Sequence, residues 1–182
     1  MKSTKAFAIL ILLLIAGSVN AQSSRVIKKE VVVNAPLQEV WNTWTTSEGV
    51  ETFFAPKANI QLESGGAYEV LFAPNAPKGR RGCEGCKVLS FEPMRTLSID
   101  WGVPPMFPAL QNQRGTITLT FEPVDSAHVR VVVVHSGLGS GGDWDKVYEH
   151  FDQGWSIVLA RLQQRFKSGP MDWQSLAASA GR

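Results

Sequence analysis

Hydrophobic residues along this chain keep one period, then another, and each change marks a new element. A continuous apolar run from Ala6 to Ala16 comes first. Residues 25–33 then mix charge with β-branched types and end in Val31-Val32-Val33, which predicts a strand. After Asn34-Ala35-Pro36, the residues Leu37, Val40, Trp41 and Trp44 recur at helical spacing. Pro36 suits the first turn of that helix. Thr45-Thr46-Ser47 breaks the stripe, and a shorter helix is predicted over 47–53.

Further on the period falls to two. Strands are predicted over 59–63, 67–72, 86–91, 96–101, 115–121 and 128–135. In the cleanest of them Ile117, Leu119 and Phe121 face one way, and Thr116, Thr118 and Thr120 the other. The consecutive valines from Val131 to Val134 predict burial on both faces there. Ser64-Gly65-Gly66 and Glu92-Pro93-Met94 supply turns. The stretch 73–82 reads as a loop rich in Pro, Gly and base. The stretch 102–111 carries Pro104, Pro105 and Pro108 and cannot be regular throughout.

A glycine-rich break, Gly137 to Gly142, precedes the longest periodic segment, and Asp143 is suited to cap it. Trp144, Val147, Tyr148, Phe151, Trp155, Val158, Leu159, Leu162 and Phe166 hold a helical period over 143–167. Acidic residues fill its first half, and Arg161, Arg165 and Lys167 its end, as the helix dipole favours. Residues 168–182 are expected to be a loosely docked tail with Trp173 as its anchor. The order of elements predicts an α+β fold: a curved antiparallel sheet wrapped around one long C-terminal helix.

Charge and length then narrow the class. Lys2 and Lys5 precede the first apolar run, and Val19-Asn20-Ala21 follows it, the form of an export signal cleaved after Ala21. The run is too short for a spanning helix, which needs about 20 apolar residues. No stable membrane anchor is expected after cleavage. The chain has 18 basic and 16 acidic residues, and the loss of Lys2 and Lys5 makes them equal. A neutral domain lacks the basic field that nucleic acid requires. The expected organisation is a signal over 1–21, one domain over 22–167 and the tail.

Motifs that carry chemistry are few. Cys83 and Cys86 are spaced C-x-x-C, and in an exported protein a local disulfide is the reading taken. Free thiols, or a redox or metal role, are the alternatives. A zinc site would need two further ligands. His128, His135 and His150 have no metal-ligand spacing among them. His135 ends a buried strand, where it either faces a cavity or is simply hydrogen-bonded. Asp100 and Glu69 are possible general bases, or else part of the solvated face of a half-buried sheet. Lys78, Arg80 and Arg81 read as a solvated loop. No metal and no cofactor is implied.

The chain resembles the activator of heat-shock-protein-90 ATPase homologue family, in the START-like SRPBCC superfamily. The marks are Asn34-Ala35-Pro36 leading to Val40-Trp41, then Gly65-Gly66-Ala67-Tyr68, then Lys87-Val88-Leu89 with Pro93, Arg95, Leu97 and Trp101. His135-Ser136-Gly137 and Gly154-Trp155 with Leu159 and Leu162 complete them. The resemblance implies a helix-grip (START/Bet v-like) fold. Members known to bind ligands hold small apolar molecules between sheet and long helix. The eponymous activity assists an ATP-driven cytosolic chaperone, and compartments outside the cytoplasm generally lack ATP. That activity is therefore not carried over. The expectation is a non-catalytic binding protein for a small apolar or amphipathic ligand. Its pocket is expected at Phe54, Tyr68, Phe72, Trp101, Phe107, His135, Trp144, Tyr148 and Phe151, against the N-terminal half of the long helix. The alternatives are a cyclase- or hydratase-type enzyme and a protein-binding module with a filled core. No protein partner is assigned.

Overall fold

The structure is a computed structural model that describes residues 25–180, with the side chains of 179 and 180 left aside. The signal expected over 1–21 lies outside the described residues. In chain order the elements are β1 (Arg25–Asn34), α1 (Leu37–Thr45), α2 (Ser47–Glu51), β2 (Lys57–Ile60), β3 (Tyr68–Leu71) and β4 (Gly82–Cys83). There follow β5 (Lys87–Glu92), β6 (Thr96–Gly102), β7 (Arg114–Pro123), β8 (His128–Leu138), α3 (Asp143–Ser168) and α4 (Trp173–Ala180). A 3-10 turn at Pro108–Leu110 interrupts the proline-rich segment.

Five strands pair antiparallel in the order β1-β8-β7-β6-β5, and three more in the order β2-β3-β4. The curved antiparallel sheet expected is thus built from two ladders. They are stitched together where Ala67 bridges Lys87, Tyr68 N–H donates to the Cys86 carbonyl at 2.8 Å, and Val88 N–H donates to Gly66 at 2.9 Å. The curved surface so formed holds α3. Val147, Phe151, Trp155, Val158, Leu159 and Leu162 of that helix are buried. The alternating residues of β7 bury Ile117, Leu119 and Phe121, and on β8 Val131, Val132 and Val133 are all buried. One face of α1 buries Val40, Trp41 and Trp44 at the other side of the core, with Trp41 edge-on to Phe121.

Several boundaries differ from expectation for local reasons. The strand expected over 59–63 runs instead from Lys57 to Ile60. Glu51 accepts from Ala58 N–H (3.1 Å), Ser47 Oγ accepts from Ile60 N–H (2.9 Å), and the chain turns at Gln61. The loop over 73–82 contains the two-residue strand β4, which pairs with β3. Asp143 does not cap α3. Gly142 occupies that position at φ 59, and Asp145 accepts from Gly141 N–H at 3.2 Å. The expected loose tail forms α4 and docks onto α2. Trp173 donates its indole N–H to the Glu51 carbonyl (2.6 Å), and Met171 N–H donates to Thr52 (2.9 Å).

Candidate functional site

A cavity of about 400 Å³ opens between the middle of α3 and the end of the sheet where β3, β4 and β6 stop. Its wall begins with three aromatic rings. Phe54, from the segment after α2, stacks on Trp101 of β6 at 5.8 Å with 7° between planes. Trp155 of α3 lies 5.7 Å from Phe54 and 6.2 Å from Trp101. Phe151 and Val158 continue the helix side of the wall. These residues are buried because they belong to the general core as well. At the mouth the chemistry is still apolar, but the side chains are exposed: Phe72 is 46% exposed, Ile157 51% and Met106 66%.

The helix leaves room for this cavity by lacking a side chain. Gly154 lies on the lining face, and a Cβ built there would meet nothing within 4 Å. A glycine inside a helix costs roughly 0.5–1 kcal/mol relative to alanine. Here that cost leaves open space beside Trp155.

The polar groups of the wall are basic. Arg80 and Arg81 come from the loop before β4, and His150 and Arg161 from α3. Among the described residues no carboxylate lines the cavity. Arg81 is held by Glu84, to which its guanidinium donates at 2.6 and 2.9 Å. Arg161 makes no ion pair among the described residues, and its guanidinium lies 5.2 Å from the Trp173 ring. Burial lowers the pKa of His150 from its ordinary value and favours the neutral ring. A further groove between Val32–Asn34 and Gln163–Lys167 lacks this aromatic wall.

Of the nine expected pocket residues, Phe54, Phe72, Trp101 and Phe151 come together at the cavity. The other five lie elsewhere. Tyr68 is fully buried, and its hydroxyl donates to the Trp44 carbonyl at 2.8 Å. Trp144 packs against Gly139, where a Cβ would come within 2.5 Å of the indole nitrogen. Tyr148 lies under the Arg25 guanidinium at 3.6 Å, and Phe107 packs edge-on to His150. His135 forms a second layer behind the wall. Its Nδ1 accepts from the Trp155 indole at 3.3 Å, and its ring lies 4.5 Å from Phe151. Gly115 gives that imidazole space, for a Cβ there would sit 2.7 Å from Nε2. Burial pushes the His135 pKa down to about 4.

The possible general bases also stand outside the cavity. Asp100 accepts from Arg114 at 2.6 Å, and Glu69 accepts from Gly85 N–H at 2.8 Å and Asn59 at 3.0 Å. Cys83 and Cys86 are joined as a disulfide with Cα atoms 5.6 Å apart, and Cys83 contributes to the cavity wall. Arg80 and Arg81, expected to be merely solvated, are part of that wall too. Among the described residues no cluster of three or more His, Cys, Asp or Glu could hold a metal, and no helix is long and apolar enough to cross a membrane.

The site lies further along α3 than expected. The lining residues Phe151, Gly154, Trp155, Val158 and Arg161 are spaced at three and four, one continuous helix face. A glycine and an arginine within an otherwise apolar stripe were the signals available in the sequence.

Solved structures show the same architecture. The chain is similar to protein MLL2253 from Mesorhizobium loti, with 22% identity and a TM-score of 0.63, covering 81% of this chain and 100% of that one. It is similar to Aha1 from Colwellia psychrerythraea, solved as a dimer, with 18% identity and a TM-score of 0.62, covering 80% and 98%. It is also similar to CalU16 from Micromonospora echinospora, with 19% identity and a TM-score of 0.58, covering 87% and 83%. At such identities the likeness concerns the fold alone. No curated protein matches. Residues 34–167 match the model of the family described as Activator of Hsp90 ATPase homolog 1-like protein. With the helix-grip architecture and that match over most of its length, the chain belongs to the Activator of Hsp90 ATPase homolog 1-like family.

Proposed function

We propose that this protein is an exported, non-catalytic binding protein that holds a small apolar or amphipathic molecule in the cavity between α3 and the sheet. The observation that carries this reading is the unfilled, aromatic-walled space beside Gly154. Ligand sites are commonly concave and apolar with a few placed polar groups. Burying about 250 Å² of apolar ligand surface would contribute roughly 6 kcal/mol before the cost of association. Micromolar affinity therefore requires contact with several of these rings together. Asp100 and Glu69 are engaged away from the cavity, and His135 lies behind its wall, which favours binding over acid–base chemistry.

Native mass spectrometry of protein purified from its own host tests the reading. A small non-covalent adduct, lost on unfolding, is the expected result. Ligand-free protein that also takes up no added apolar compound would refute it. Export predicts a mature chain that begins at Gln22. N-terminal sequencing that finds the intact leader on all of the protein would refute that part.

A further inference from the structure

We propose that the ligand is an amphipathic carboxylate, with its apolar body against Phe54, Trp101 and Trp155 and its anionic head held by Arg161 and Arg81. The inference rests on the binding role proposed above and adds the charge of the ligand to it.

The lining is asymmetric in sign. Guanidinium groups reach the cavity from two directions, Arg161 from α3 and the Arg80-Arg81 pair from the loop before β4. Among the described residues no acidic side chain shares the lining, and of these cations only Arg81 has a carboxylate beside it. Glu84 engages Arg81, while among the described residues Arg161 and Arg80 form no ion pair. Arg161 is half-buried, and burial lowers its pKa from the ordinary value. A cation removed from water beside aromatic walls is costly unless an anion or hydrogen-bond acceptors meet it. The Trp173 ring, 5.2 Å away, meets only one face of that guanidinium. Its N–H donors remain suited to a two-pronged contact with a carboxylate.

The arrangement also explains why these arginines stand at the margin and not in the depth of the site. The aromatic floor takes the apolar body. A head group at the margin keeps part of its hydration while it gains the charge-assisted hydrogen bonds. A cationic amphipath of equal length would meet like charge at the same place.

Dodecanoate, dodecanol and dodecylammonium, each below its micelle concentration, make a matched series for the test. Trp101 and Trp155 line the cavity, so their fluorescence reports occupancy. The expected order is dodecanoate at least tenfold tighter than dodecanol, with dodecylammonium weakest. The preference for carboxylate over alcohol should shrink as salt rises. Arg161→Gln should remove most of that preference, read as the ratio of dodecanoate to dodecanol affinity, whereas Arg161→Lys should keep part of it. Arg81→Gln serves as the second variant should Arg161→Gln fold poorly. Equal affinity of the wild-type protein for dodecanoate and dodecanol would overturn the anionic ligand and leave the apolar cavity standing. Full carboxylate preference in both glutamine variants would overturn the assignment to these arginines. No binding of any probe would overturn the binding reading itself.

Discussion

Gly154 is the position where stability and binding should move in opposite directions. In the middle of α3, alanine is about 1 kcal/mol more favourable than glycine. No atom lies within 4 Å of the Cβ it would add, so no clash offsets that gain. In a domain of this size 1 kcal/mol corresponds to roughly 2–4 °C in Tm. Gly154→Ala should therefore melt higher by that amount, as followed by circular dichroism. Gly154→Leu should keep most of the gain and project its side chain into the cavity. If it displaces about two methylene groups of ligand, the loss is roughly 1.6 kcal/mol, or at least tenfold in Kd. Dodecanoate titration of the two variants measures that loss. Two results would refute the reasoning: a lower Tm for Gly154→Ala, or unchanged affinity in Gly154→Leu. Natural proteins often retain such a destabilising residue where function needs the space.

Three further outcomes are expected. Burial pushes the His135 imidazole from 6.5 down to about 4. The unfolded chain therefore binds a proton first as pH falls, and about 3 kcal/mol of stability should be lost between pH 6.5 and 4. His135→Gln does not titrate, and its urea denaturation midpoints should lack that part of the slope. Opening the Cys83–Cys86 bond, whose residues are separated by 3 in sequence, should cost at most about 2 kcal/mol on the chain-entropy account. It should also weaken dodecanoate binding, because the cavity wall includes Gly82, Cys83 and Arg81; intact mass with and without reductant identifies the bond. Tyr68→Phe removes the hydroxyl donor to the buried Trp44 carbonyl and should cost about 1–2 kcal/mol, read as a lower denaturation midpoint at unchanged slope.

The long helix was legible because Val147, Phe151, Trp155, Val158 and Leu162 repeat a face that has to be covered. The strand β7 was legible because threonine and apolar residues alternate without a break. The two-residue strand β4 was not, since so short an element has no period to read. Its existence depends on β3 lying beside it. The pocket was half-legible for a different reason. An aromatic residue in a stripe looks the same whether it packs against a neighbour, as Trp144 does, or borders open space, as Trp101 does. What distinguishes the two is the side chain missing opposite, and that is decided by packing across the molecule. Arg80 and Arg81 read as merely solvated because the loop before β4 reaches the cavity wall only in the folded molecule, a tertiary event with no local mark.

The first strand has a consequence for how the molecule is made. β1 has β8 as its sheet neighbour, and Lys29 pairs with Asp152 and Arg25 with Asp145 across to α3. The segment that leaves the ribosome early thus finds every one of these partners near the end of the chain. Contacts so distant in sequence close slowly, and synthesis must be almost finished before the sheet has both its borders. Under the export proposed above, late closure of this kind would suit a chain that has to be threaded through a translocation pore before it folds.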